Sequence, residues 1–274
     1  TVTKVNDNKF MIVGSGMAER YHQRFFNALP LPKRTTFKNK TDDICGYNVA
    51  GPKSRTLLQK LTNADLCNDA FKFMRSQTID VAGVSCLVFR VSFTGDLGWE
   101  MYCCQNDQMK LLEALLKAAD EVGGGPVGSR ALGSLRIEKG YGSWGREYGP
   151  EYWPHEVGLE HLIKLDKNFI NKKAYLAVMK KSPRERLSTF EVEVNNNADA
   201  SGGEPIFLAD GTGVGRVTSG AFGYSVGKSL ALGFIKEGSV QAGDQVEIFI
   251  LGKPHQATLL AESPFDPKGK KLRA

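Results

Sequence analysis

The chain has 274 residues, 41% hydrophobic and 24% charged, with a formal net charge of +6. That balance describes a globular body long enough to bury a full core and to divide into two domains. No apolar run approaches the roughly 18 residues that span a membrane, and no signal-peptide pattern is present. Basic residues are scattered without interleaved aromatics or a known fold signature, which argues against nucleic acid as a partner.

In chain order, Lys9 to Val13 reads as a short apolar strand, and Met17 to Leu29 as a helix ended before Pro30. Ile44 to Ala50 reads as a strand. Pro52 and Ser54 open a helix with Leu57, Leu58 and Leu61 on one face. Thr78 to Phe93 reads as a hairpin around Ala82-Gly83. Val91-Ser92-Phe93, the turn Thr94 to Gly98, and Trp99-Glu100 read as strand, tight turn, strand. Residues 107 to 121 form an amphipathic helix, and a helix over 129 to 139 stops at Gly140. Asn171 caps a last helix through Lys180, and Pro183 follows. Beyond it, six short strands (190–194, 205–208, 214–219, 229–235, 246–251 and 256–261) are split by Gly-, Asp- or Pro-bearing turns. That density reads as a small barrel or sandwich. A domain boundary falls near Ser182-Pro183-Arg184, giving domains over 1–182 and 183–274. The basic run from Lys268 to Arg273 reads as a solvated, mobile tail.

Several patterns mimic known sites and lack a needed residue. Gly14-Ser15-Gly16-Met17-Ala18-Glu19 follows a strand and opens a helix, but Glu19 stands where a dinucleotide loop needs glycine, and its charge would repel a pyrophosphate. Gly223 to Ser229 is one residue short of a P-loop and lies among strands. His155-Glu156 with His161 lacks the second histidine one helical turn on, so no metal ligand is assigned. Five cysteines without Cys-x-x-Cys spacing read as free thiols in a reducing compartment.

Glu100 is the most pointed single residue. It returns from the Gly95 and Gly98 turn between Trp99 and Met101-Tyr102, where a carboxylate needs a donor partner from protein or ligand. The stretch Phe93-Thr94-Gly95-Asp96-Leu97-Gly98-Trp99-Glu100 resembles the Tyr-Thr-Gly-Glu-x-Gly-x-Glu motif of the folate-binding aminomethyltransferase (glycine-cleavage T-protein) family. Ser129 to Gly145, Pro154 to Glu160, Ile163 to Ile170, Gly202 to Ile206, Gly213 to Gly220, Ser225 to Gly233 and Ser263 to Pro267 add further matches in order. They are most similar to the folate-binding half of dimethylglycine and sarcosine dehydrogenases.

The resemblance implies an α+β fold: a folate-binding domain with mainly antiparallel sheets, then a small C-terminal β-barrel. It implies tetrahydrofolate as cofactor, with a small N-methyl amine or iminium as the carbon donor. Glu100 would grip the pterin edge, whose two parallel N–H donors match one carboxylate in a fork. Phe93 and Trp99 would wall the ring, Tyr141, Trp144 and Tyr152 would line the cavity, and Arg216 would lie on the part that closes over it. The implied reaction is one-carbon transfer giving 5,10-methylenetetrahydrofolate in a mitochondrial matrix or bacterial cytoplasm. The alternative is an inactive folate-fold subunit serving regulation or assembly.

Three departures stand against the family pattern. Phe93 replaces the usual Tyr, and Leu132 replaces an Arg of the aminomethyltransferases that the dehydrogenases also lack. The chain opens at Thr1-Val2-Thr3, just after the place of the family's catalytic Asp, so no catalytic residue is assigned here. The resemblance therefore implies that the rest, with any FAD-binding half, lies on a longer polypeptide or another subunit. It also implies that these 274 residues alone bind folate weakly or not at all.

Overall fold

The computed structural model describes residues 1–194 and 198–274. They divide into one unit made of Thr1–Gly128 with Lys268–Ala274 and a second made of Ser129–Pro267. Among the described residues, no helix is long and apolar enough to cross a membrane.

In the first unit, β1 (Val2–Asn6) and β2 (Lys9–Ile12) pair as an antiparallel ribbon, followed by α1 (Glu19–Ala28). The Gly14 to Glu19 segment leads from β2 through a 3-10 turn, Gly16–Ala18, into α1. Strands β3 (Ile44–Ala50), β4 (Ser76–Val81), β5 (Val84–Phe89) and β6 (Gly98–Cys104) form an antiparallel sheet in the order β3-β6-β5-β4. Successive side chains on a strand point to opposite faces. On β6 this sends Trp99, Met101 and Cys103 into the core and leaves Glu100, Tyr102 and Cys104 on the other face. The core face packs on Leu57 and Leu58 of α2 (Ser54–Gln59) and on Leu111 and Leu115 of α3 (Gln108–Asp120). Ala82 and Gly83 join β4 to β5 with φ of 55° and 74°, the two left-handed residues that a two-residue hairpin needs.

The strand expected over Val91–Phe93 is absent. β5 ends at Phe89, and residues 90–97 form an irregular connection. Local side-chain bonds outcompete the ladder: Gly95 N donates to Ser92 Oγ at 3.1 Å, and Asp96 N donates to Thr94 Oγ1 at 3.3 Å. Ser54 Oγ and Gly51 N both donate to Leu97 O, tying the connection to the start of α2. Gly98 is required by close approach, since a Cβ there would lie 2.7 Å from Val91 O. Gly98→Ala is expected to cost about 1–3 kcal/mol, the usual range for overpacking, read from the urea midpoint.

The basic tail, expected as a solvated, mobile end, keeps Lys268, Lys270, Lys271 and Arg273 exposed but is packed through Leu272 and its backbone. Leu272 is buried, and the guanidinium of buried Arg90 donates to Ala274 O at 2.7 Å, Arg273 O at 3.0 Å and Phe71 O at 2.7 Å. A buried arginine must have acceptors, and the backbone of the last residues supplies them.

The second unit begins with α4 (Ser129–Glu138), ended by Gly140 at φ 69°. After α5 (Lys172–Val178) come β7 (Glu185–Val192), β8 (Pro205–Phe207), β9 (Gly213–Gly223), β10 (Lys228–Lys236), β11 (Gln245–Ile250) and β12 (Lys253–Leu259). They close as a barrel in the order β10-β7-β12-β11-β8-β9, which leaves no open sheet edge. Inward residues such as Phe190, Ile206, Val217, Ala231 and Ile248 fill it. The P-loop-like segment Gly223 to Ser229 is the turn between β9 and β10. The segment Ser182–Arg184 lies between α5 and β7. Asn171 precedes α5 in a left-handed conformation, φ 67°, without a side-chain capping bond.

Candidate functional site

Glu100 stands on the outward face of the four-stranded sheet, half-buried. The ladder places Asn48 of β3 and Phe89 of β5 on either side of it, and Gly46 and Leu87 beside Tyr102. The Tyr102 hydroxyl donates to Glu100 Oε2 at 2.8 Å. Among the described residues, no lysine, arginine or histidine forms an ion pair with Glu100. Burial first, and the neighbouring carboxylate next, push the Tyr102 phenol up from its ordinary range, so it stays a donor at neutral pH. Tyr102 and Cys104 form part of the wall of a cavity of about 980 Å³, with Ile12, His22, Phe26 and Leu87 among the other lining residues. Glu100 is next in the Cys104-Tyr102 row, about 7 Å along the strand from Tyr102.

The other first-unit residues expected at a site fall as follows. Phe93 is half-buried in the 90–97 connection. Trp99 is fully buried in the core, edge-on to Phe71 at 5.1 Å and beneath the Arg90 guanidinium at 5.6 Å. As the immediate neighbour of Glu100 on one strand, it points to the opposite face.

Within the second unit, Tyr152 stacks on Phe234 with ring centroids 4.0 Å apart. Arg216 donates to the Tyr152 hydroxyl at 2.8 Å and forks onto Glu185 at 2.8 and 3.0 Å. Hydrogen bonding to Glu185 raises the Arg216 pKa further, fixing its charge. Tyr141 O accepts from Arg136 at 3.0 Å, and Trp144 bridges to Tyr148. The structure thus brings Tyr152 and Arg216 together.

Sequence reasoning missed Glu147, the hub of this unit. Its fully buried carboxylate accepts from Ser219 Oγ at 2.6 Å, Thr218 Oγ1 at 2.7 Å, Ser143 N at 2.8 Å and Arg136 Nη1 at 3.1 Å. Burial alone would raise its pKa, but the hydroxyl and amide donors with Arg136 outweigh it and hold the carboxyl below its ordinary value. Burial moves the Arg136 pKa the other way, down, with Glu147 opposing. Arg136 and Glu138 are buried, and Glu138 Oε1 accepts Ser225 N at 2.7 Å.

Glu156 makes a second anchor. Arg184 Nε and N donate to its Oε1 at 2.9 and 3.0 Å, and Arg184 Nη2 and Trp153 N donate to its Oε2 at 2.7 and 2.9 Å. The Arg184 side chain first, with the backbone amides, pulls the carboxyl from 4.5 to about 2. A carboxylate depressed in the folded state stabilises above its unfolded pKa and loses that stability as pH falls through the folded one. Between about pH 4.5 and 2, the wild type should lose about 2–3 kcal/mol that Glu156→Gln does not lose. Urea midpoints across that window check it.

Comparison with known proteins matches residues 1–167 to the GCVT N-terminal domain and residues 185–266 to the glycine cleavage T-protein C-terminal barrel domain. The chain belongs to the glycine cleavage T-protein family. It is 35% identical to the mitochondrial dimethylglycine dehydrogenase of Mus musculus over 266 residues, 96% of this chain and 30% of that one. It is 32% identical to the aminomethyltransferase of Caldanaerobacter subterraneus over 272 residues, 98% of this chain and 71% of that one. The crystal structure of glycine cleavage system aminomethyltransferase T from Bartonella henselae superposes with a TM-score of 0.68 at 25% identity, covering 78% of this chain and 57% of that one. The chain thus spans 30% of the length of the dehydrogenase it matches. The antiparallel first sheet and closed six-stranded barrel agree with the α+β fold expected from the motifs.

Proposed function

We propose that this chain is the folate-binding part of a dimethylglycine or sarcosine dehydrogenase-like enzyme, and that Glu100 holds the pterin. The observation that carries the reading is the state of that carboxylate. It lies half-buried on an outward sheet face, held by one hydroxyl and paired with no cation among the described residues. It therefore keeps acceptor capacity for a ligand with two parallel N–H donors, as the pterin edge of tetrahydrofolate has. The cavity of about 980 Å³ on the same sheet face is lined by Tyr102 and Gly46, while Glu100 lies outside its lining, next along the strand from Tyr102. Tetrahydrofolate supplies, when bound, the amine that takes up a one-carbon unit as 5,10-methylenetetrahydrofolate.

The chain's own part is binding and orientation. Glu100 fixes the ring by a charge-assisted fork, and Phe93 is proposed to flank it. Holding an amine beside an iminium electrophile can supply up to about 7–11 kcal/mol of barrier reduction in ideal intramolecular cases, and a shielded site limits loss of the carbon to water. We propose the domain boundary at Ser182–Arg184 read from the sequence; the two matched family segments, 1–167 and 185–266, lie on either side of it, whereas the compact units divide after Gly128 and after Pro267.

The test is carbon fate. Given an N-methyl amine that the flavin-bearing remainder of the longer polypeptide or partner subunit oxidises to an iminium, the complete enzyme releases less formaldehyde when tetrahydrofolate is present and forms methylenetetrahydrofolate in step. If tetrahydrofolate changes neither quantity, the inactive-subunit reading replaces this one.

A further inference from the structure

Gly46, Phe89, Glu100 and Tyr102 form one cluster on the outward face of the first-unit sheet. Tyr102 stands directly opposite Gly46 in the β3–β6 ladder. A Cβ on Gly46 would lie 3.0 Å from Tyr102 Cε1 and 3.2 Å from Cδ1, so the absence of a side chain there is what lets the ring lie over the strand. On the other side, the Phe89 ring meets the Tyr102 ring at 5.1 Å and 47°. Phe89 is almost fully buried. Two neighbours therefore set the ring, and the ring sets its hydroxyl 2.8 Å from Glu100 Oε2.

From this geometry we infer that Tyr102 is a positioning residue for Glu100: its hydroxyl fixes the carboxylate so that the remaining acceptor positions face a ligand's paired N–H donors. This rests on the folate reading of Glu100 and deepens it. A glutamate has rotatable bonds that must be frozen to accept a bidentate ligand, and an immobile hydroxyl on one oxygen freezes them in advance. A bond from a neutral donor to a charged acceptor is among the stronger ones available. The hydroxyl also leaves the carboxylate's charge uncancelled, which a lysine or arginine in the same place would not. Gly46 and Phe89 act one step further back, through the ring.

A double-mutant cycle on the enzyme tests this, with 5-formyltetrahydrofolate as probe and binding measured up to millimolar ligand. Tyr102→Phe keeps the ring and its packing and removes only the hydroxyl. The inference expects roughly tenfold weaker binding in the native background, the scale of one bond to a charged group. It expects a change within about twofold when Glu100 is already Gln, because the two-acceptor fork that the hydroxyl orients is gone even though the amide oxygen can still accept the Tyr102 bond. Gly46→Ala, which keeps both polar groups but crowds the ring, should weaken binding in the native background alone. Equal losses from Tyr102→Phe in both backgrounds would show a merely structural role and overturn the inference. So would native binding by Tyr102→Phe while Glu100→Gln loses it. If Glu100→Gln itself binds like the native protein, the folate reading of the site falls, and the positioning role falls with it.

Discussion

Glu100→Gln should weaken folate binding by roughly 30- to 300-fold while leaving the fold intact. A carboxylate accepts two parallel N–H donors, whereas an amide of the same shape offers one acceptor and turns its own donor toward the second N–H. Truncating one member of a buried, hydrogen-bonded charged contact costs about 2–5 kcal/mol, and the lower part of that range suits a half-buried group. Stability should change little, because Glu100 carries one internal hydrogen bond, from Tyr102, and Gln still has an oxygen to accept it. Calorimetric titration with 5-formyltetrahydrofolate, beside thermal unfolding, reads both. An affinity within about threefold of native at unchanged melting temperature would refute the assignment.

Glu147→Gln should be the most destabilising conservative change in the second unit, by about 3 kcal/mol or more. Glu147 is fully buried, and its partner Arg136 is nearly so. Removing one charge strands the other in a poorly solvating environment, and breaking a buried pair in this way costs about 3–5 kcal/mol. At about 2–4 °C per kcal/mol for chains of 150–250 residues, the melting temperature should fall by roughly 10 °C. Arg136→Met should cost a similar amount, and the double variant clearly less than the sum, because the two residues form one network. Additive losses would show that the carboxylate acts through Ser219, Thr218 and Ser143 and not through the arginine.

Much of the architecture was legible because its elements obey simple periodicities. The strand expected over Ile44–Ala50 has those bounds in the structure, and all six barrel strands occur near their expected places. Gly140 ends α4 as its lack of a Cβ suggests. The proposed site was legible to one residue, Glu100. Period-two alternation along β6 separates Glu100 from Trp99 and joins it to Tyr102, so the spacing held a signal for the hydroxyl partner. Glu147 gave no such signal. It sits in an irregular Gly-, Ser- and Tyr-bearing loop, and its partners Ser219 and Thr218 are more than 70 positions away, brought close only by folding. The strand expected over Val91–Phe93 and the fully solvated tail differ from the structure for a related reason. Local serine and threonine bonds overrode strand propensity in the first, and a buried arginine's demand for acceptors overrode the charge of the second.

The crystal structure of the enzyme with 5-formyltetrahydrofolate tests the central claim most directly. The account places the paired N–H edge of the pterin within about 3.2 Å of the Glu100 carboxylate, with the Tyr102 hydroxyl still on Oε2. A folate seated elsewhere, with Glu100 out of hydrogen-bonding reach, would contradict it.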